Sequence, residues 1–314
     1  MNPLSTQTAA DAPGVVVTGS STGLGRSTAL ALTAAGYCVF AGVRRSSDGE
    51  ALLAAAAPHR GPGRLTPVII EVTDAESIAA AAREVSAAVG PRGLAGLINN
   101  AGIGVFGPVE TVSIDDLRRI YEVNVFGQVA AIQAFLPLLR AGGGRVVNIG
   151  SIGDRLSLPF GAPLTSSKSA LASITDSLRI ELRPWGIHVV LIEPASIRTA
   201  TVDKAESDAQ RVLDELSPRH RALYGPSFAA MMSRLLAKER DGSSPEVVAA
   251  VIVRALRAHR PRARYLVGKG HRPMALAARW APDRILDLLR ITMFDLPTTF
   301  GEFGSAREEA HHSD

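Results

Sequence analysis

The stretch Val15-Val-Val-Thr-Gly19-Ser-Ser-Thr-Gly23-Leu-Gly25 decides how the rest of the chain is read. Its first four residues are β-branched, the composition of a buried strand, and three glycines follow before Leu30 and Leu32 begin an apolar helical face. A strand that runs straight into such a turn and then into a helix points backbone N–H groups and the positive helix end at an anion. Glycine is needed there because a side chain would block the approach of a pyrophosphate. Glycines alone carry little information; glycines between a strand and an amphipathic helix mark a dinucleotide-binding unit.

Outward from this unit, short β-branched runs alternate with longer alanine- and leucine-rich segments. Strands are expected at Val15–Thr18, Cys38–Val43, Thr66–Val72, Leu94–Asn99, Arg145–Ser151, His188–Glu193 and Arg264–Val267, with helices between them. Such alternation predicts an α/β fold: one Rossmann-type, doubly wound parallel sheet of about seven strands, covered by helices on both faces. The domain is expected to span residues 13–300, after a flexible N-terminus (1–12) and before a disordered tail (301–314). Helix starts are signalled by Ser113-Ile-Asp-Asp and by Ser244-Pro245-Glu246. Residues from about 200 to 244 break the rhythm and read as a small helical lid, in which Met231 and Met232 are ordinary helix packing. The apolar and basic mixture from His271 to Phe300 reads as helices that pack on their own domain.

Composition narrows the function. The net charge is only +4 and the arginines are scattered, which excludes the clustered basic face of a nucleic-acid binder. Cys38 is alone and sits beside Tyr37, Val39 and Phe40, so it reads as a buried strand residue of a protein in a reducing compartment. No run of eighteen uninterrupted apolar residues occurs, and Met1-Asn-Pro-Leu lacks the order of a signal peptide. A cytoplasmic protein without stable membrane insertion is expected, and no metal is called for.

At the end of the second strand, Ala41-Gly-Val-Arg44-Arg45-Ser46 has no acid to accept from a ribose 2′-hydroxyl. Arg44 and Arg45 instead offer planar forks to a 2′-phosphate, with hydroxyls from Ser20, Ser21 and Ser46 in support, so NADP(H) is the expected cofactor.

Further motifs stand at matching separations: Asn99-Asn100-Ala101-Gly102, Asn124 within Tyr121-Glu-Val-Asn-Val-Phe-Gly, Ser151 and Lys168 after Arg145-Val-Val-Asn-Ile-Gly, and Glu193-Pro194-Ala195-Ser-Ile197-Arg-Thr199. Together with the glycine loop they resemble the short-chain dehydrogenase/reductase family. Ser151-Ile-Gly-Asp-Arg-Leu-Ser-Leu-Pro-Phe and Arg262-Ala-Arg-Tyr-Leu-Val-Gly-Lys-Gly are similar to its steroid- and retinol-type branch. The resemblance implies that Gly19, Ser21, Gly23, Leu24 and Gly25 hold the pyrophosphate, and that Glu71 and Val72 flank the adenine. It places the backbone of Asn99, Ala101 and Gly102 along the ribose side, and Pro194, Ile197 and Thr199 at the nicotinamide carboxamide. It gives Asn124 the organisation of a proton-relay water, Ser151 the substrate oxygen, and Lys168 the nicotinamide ribose. The family has glycine where Ala195 stands here.

One departure matters more. The family pattern is serine, twelve residues, tyrosine, three residues, lysine, and the tyrosine position is Leu164. Leucine cannot protonate an alkoxide, and Thr165, Ser166 and Ser167 have far more basic conjugate bases than a phenol. Asp154, the one carboxylic acid of the loop, reads as a solvated carboxylate. Three readings follow: an oxidoreductase whose acceptor needs no enzyme acid (an iminium, enone or quinone), a non-redox cyclase, isomerase or dehydratase that keeps NADP(H) as a structural ligand, or a deliberate tyrosine-to-leucine replacement in an ordinary ketoreductase. The apolar lid suggests an apolar small-molecule substrate, and the apolar helices around Asn124 and Lys168 suggest a homodimer or homotetramer.

Overall fold

The computed structural model describes residues 12–58, 61–199 and 201–298. The expected flexible N-terminus and disordered tail therefore lie outside the described residues, apart from Ala12. In chain order the elements are β1 (Gly14–Val17), α1 (Gly23–Ala34), β2 (Cys38–Val43), α2 (Ser46–Ala56), β3 (Arg64–Ile69), α3 (Ala75–Val89) and β4 (Leu94–Asn99). They continue with α4 (Ile114–Tyr121), α5 (Gly127–Gly142), β5 (Arg145–Ile149), α6 (Ala162–Glu181) and β6 (His188–Pro194). The last are α7 (Thr201–Glu215), α8 (Pro218–Arg240), α9 (Pro245–Arg257), β7 (Arg264–Val267), α10 (His271–Trp280) and α11 (Asp283–Phe294).

All seven strands are parallel, in the order β3-β2-β1-β4-β5-β6-β7. The order reverses between β1 and β4, which opens a crevice at the carboxyl ends of the strands. Strand residues alternate between two cores, as their period of two requires. Val15 and Val17 pack with Leu32 of α1 and Ile252 of α9, whereas Val16 packs with Val85 of α3 and Phe135 of α5. β3 ends at Ile69, so Glu71 and Val72 lie just beyond it instead of within it.

The lid is two helices, α7 and α8, with a separate apolar core in which Phe228, Met231 and Met232 pack against Phe294 of α11. The methionines are packing residues, as expected. The C-terminal helices bury Leu286 and Phe294 but leave Leu276, Trp280, Ile285, Leu288 and Leu289 exposed, so only part of their apolar surface packs on the domain. Cys38 begins β2 but is half-buried, not fully enclosed as the sequence suggested, and burial pushes its thiol up. Ser113 caps α4 through a bond accepted from the Asp116 N–H (2.9 Å). Ser244 precedes Pro245 as expected, yet its side chain makes no capping bond.

One helical run, Ile114–Gly142, is long and apolar enough to cross a membrane by length and composition. Its α5 portion covers the sheet, with Ile132, Phe135 and Leu139 in the core.

Candidate active site

Two glycines in the β1–α1 turn are forced by close approach. Gly19 has φ +65°, and a Cβ there would meet the Ala101 Cα at 2.9 Å; on Gly25 it would lie 2.1 Å from the Gly19 carbonyl oxygen. The turn is tied to the end of β4 by Thr18 and Asn100. Thr18 Oγ1 accepts from the Asn100 and Ala101 N–H groups (both 3.0 Å), and Asn100 Nδ2 donates to the Thr18 and Gly19 carbonyls (both 3.0 Å). Ser20 is fully buried and its hydroxyl donates to the Val17 carbonyl (2.9 Å), so it is not the phosphate donor the sequence suggested. Arg44 and Arg45 stand exposed directly after β2 and form no ion pair among the described residues.

A cavity of about 850 Å³ opens beyond this turn, bounded by the strand ends below and by α7 and α8 above. Of the residues singled out in the sequence, Leu24, Gly102, Ser151, Leu164, Lys168, Pro194, Ile197 and Thr199 line it. Gly19, Ser21, Gly23, Gly25, Arg44, Arg45, Glu71 and Val72 lie outside this cavity. Asn99 and Ala101 do not reach the wall either. Asn99 turns inward, donating to Asn148 Oδ1 (3.0 Å) and to the Gln128 carbonyl (3.1 Å), and Asn100 takes the cavity position. The doublet Asn99-Asn100 looked uniform in sequence because alternation along a strand does not say which face meets the site.

Leu164 and Lys168 stand one turn apart on α6 and face the same cavity as Ser151. Lys168 Nζ donates to the Ile149 carbonyl (2.9 Å). Burial lowers its pKa to about 8, with the charge of Asp154 opposing the shift. Asn124 is buried in a five-residue π-helical turn, Glu122–Phe126, between α4 and α5. Its amide is fully engaged: Oδ1 accepts from the Ile103 N–H (2.9 Å), and Nδ2 donates to the Ile103 carbonyl and to Ser167 Oγ (both 3.0 Å). A π turn has no simple signature in the sequence, where Asn124 read only as a mid-helix residue. Ser151 Oγ accepts from the Gly153 N–H (3.0 Å), leaving its own proton free to donate. Neither Tyr121 nor Tyr224 lines the cavity.

A family model described as short chain dehydrogenase matches residues 14–210. The chain belongs to the short-chain dehydrogenase family. Within that family it is similar to an NADPH-dependent 3-dehydrocapnine reductase of Ornithobacterium rhinotracheale, 35% identical over 277 residues that cover 87% of this chain and 94% of the relative. It is also similar to retinol dehydrogenase 5 of Mus musculus, 34% identical over 279 residues, 87% of this chain and 86% of the relative. Among solved structures, a short chain dehydrogenase from Burkholderia cenocepacia J2315 in complex with NADP superposes with a TM-score of 0.65 at 25% identity, covering 89% of this chain and 98% of that one.

The largest correction to the sequence reading concerns Asp154. Its side chain is 1% exposed, not solvated, and belongs to an ionic cluster beneath the loop that carries Ser151. Arg264 Nη1 contacts Asp154 Oδ2 (3.2 Å) and Glu193 Oε1 (2.9 Å), and its Nη2 contacts Asp176 (2.6 Å). Arg155 Nε adds a second contact to the fully buried Glu193 (2.7 Å). Burial, with Glu193 close by, pushes the Asp154 carboxyl up to about 7. Asp154 Oδ1 has no hydrogen-bond partner among the described residues, and the negative charge of Glu193 beside it disfavours a second one on Asp154.

Proposed function

We propose that the protein is an NADP(H)-dependent oxidoreductase acting on an apolar small molecule whose acceptor group takes a hydride without an acid from the enzyme. The observation that carries this is Leu164 on the cavity wall, one helical turn before Lys168 and in the same cavity as Ser151, in a wall that holds no tyrosine among the described residues. NADP(H) is supported by the NADPH-dependent relative and by the NADP complex of the Burkholderia cenocepacia structure. The residues fit that group: the Gly19 and Gly25 positions admit no side chain, and Arg44 and Arg45, exposed and without an ion pair among the described residues, support a 2′-phosphate as their partner.

Gly19, Ser21, Gly23, Leu24 and Gly25 would hold the pyrophosphate, Glu71 and Val72 the adenine, and Asn100 and Gly102 the ribose side. Pro194, Ile197 and Thr199 would meet the carboxamide. Bound NADPH supplies a hydride. Lys168 orients the ribose and keeps a positive charge at the centre below about pH 8, Ser151 donates to a polar substrate atom, and Asn124 holds the loop at Ile103. An iminium carbon that accepts hydride needs no proton, because the C=N electron pair collapses onto the cationic nitrogen. An enone or quinone takes its proton from water.

The test is NADPH consumption, followed by absorbance, with iminium, enone and quinone probes. Turnover of at least one class is expected, together with calorimetric binding of NADPH tighter than NADH. The preference for NADPH is expected to disappear in the double variant Arg44→Ala/Arg45→Ala. Substrate conversion without loss of NADPH absorbance would replace the reductase with a non-redox cyclase or isomerase.

The long helices leave Ile114, Phe126 and Ile180 exposed, on α4, at the π turn and on α6. We infer that these faces pair two copies of the chain. Light scattering at micromolar concentration is expected to report a dimer or tetramer, and Phe126→Arg to shift it toward monomer. A monomeric wild type would contradict the assignment.

A further inference from the structure

Glu239 lies on α8 in the upper wall of the cavity, and the Gly242 turn fixes its end of the helix. A Cβ on Gly242 would meet the Ser196 carbonyl oxygen at 2.6 Å, and Ser243 bridges to Ile197, so the C-terminal end of α8 is seated on the segment that carries Ile197 and Thr199. Glu239 thus lines the same cavity as Leu164 and Lys168 from a helix end packed on that segment, and its carboxyl forms no hydrogen bond or ion pair among the described residues.

Neighbouring charges are committed elsewhere. On the same helix Lys238 lies over the Phe294 ring and Arg240 pairs with Glu206, while the next residue, Asp241, pairs with Lys269. Across the cavity Arg211 is held by Asp208 and Glu215, Glu110 bonds to Tyr224 beside His220, and Asp116 holds Arg119. Lys204 of α7 and Lys168 share the wall but make no ion pair with Glu239. Burial alone pushes the Glu239 carboxyl up to about 7, with no cation to offset it. A carboxyl kept half-buried without a partner is costly in the empty protein, and the cost is recovered when a ligand brings the complementary charge.

We propose that Glu239 is the receptor for a cationic nitrogen of the substrate, so that this cavity selects apolar iminium or amine compounds over neutral carbonyl compounds. The inference rests on reading the cavity as the substrate site of an NADP(H)-dependent enzyme, and it narrows the acceptors above to the class that needs no proton.

The experiment measures binding apart from turnover. N-methyl-3,4-dihydroisoquinolinium and its neutral carbon isostere 3-methyl-1,2-dihydronaphthalene are titrated by calorimetry into the protein loaded with NADP+, at pH 6 and pH 8. The cation is expected to bind about tenfold more tightly than the isostere at pH 8, from the Coulomb attraction of an ion pair in a half-buried site, since the N-methyl iminium has no N–H to donate. The carboxyl must be ionised, so the preference falls as pH drops through about 7. Glu239→Gln should bring the ratio toward one and abolish its pH dependence, and Glu239→Asp should keep part of it. Failure of the wild type to bind the cation, a ratio of one, or a preference that survives in Glu239→Gln overturns the inference. The two proposals fail separately. Selective binding that depends on Glu239 without NADPH consumption leaves the cation site standing and removes the reductase. NADPH consumption with neutral enones and no selectivity from Glu239 does the reverse.

Discussion

Leu164→Tyr is expected to raise NADPH-dependent reduction of simple ketones and diketones by about 10²- to 10⁴-fold, the usual contribution of a positioned acid. Position 164 lies one turn from Lys168 on α6, and both face the cavity with Ser151, so a phenol placed there comes within the field of the buried ammonium. A neighbouring positive charge lowers a phenol's pKa and makes it a better donor to the alkoxide that forms as hydride arrives. Ketone carbonyls suffer most from the leucine because their product cannot form without a proton. Iminium acceptors should gain little from the substitution, and the contrast between the two classes is the diagnostic result. A tyrosine variant that binds NADPH yet reduces no carbonyl would mean that the cavity has been rebuilt beyond position 164, and would favour the non-redox reading.

Arg264→Met is expected to destabilise the fold by about 3–5 kcal/mol at pH 8, because it leaves buried carboxylates without their shared cation. Glu193 is fully buried, the Asp154 side chain is 1% exposed, and Arg155 alone would remain to serve them. The loss should depend on pH with a definite sign. The folded pKa of Asp154, about 7, lies above its unfolded value of 3.8. Its contribution to stability is therefore fully present below pH 3.8 and is lost as pH rises through 7. Near pH 5 the group is protonated in the fold, less negative charge needs neutralising, and Arg264→Met should cost less than at pH 8. Asp154→Asn, which imitates the protonated acid, should flatten the wild-type stability profile between pH 5 and pH 8. Urea unfolding of the three proteins at both pH values checks this, and an equal loss at pH 5 and pH 8 would remove Asp154 from the explanation.

Most of the scaffold was legible in the residues themselves. The expected strands Cys38–Val43, Leu94–Asn99 and Arg264–Val267 coincide with β2, β4 and β7, and the lid falls where the strand rhythm lapses. Harder to read were the places where a local pattern admits two outcomes. Asn99 and Asn100 are alike in sequence, but one is folded into the sheet's hydrogen bonds and the other holds the glycine turn. Ser20 offered a hydroxyl that the backbone at Val17 takes. Asp154 sits in a polar-looking loop, and only the arrival of Arg264, 110 positions later, makes it an interior residue.

The sequence by itself determined the parallel sheet, the glycine turn, and the spacing of Ser151, Leu164 and Lys168, because each depends on strand period, helix period or a backbone angle set within a few residues. Tertiary structure alone decided that Asp154, Glu193 and Arg264 form one charge cluster, that Asn124 sits in a π turn, and that Glu239 enters the cavity without a partner. The physical reason is range. Local periodicity is encoded in the covalent neighbours of each residue, whereas burial and charge pairing depend on which distant segments the packed sheet and lid bring into contact, and a change of environment can turn the same carboxylate from a solvated group into a proton-holding one.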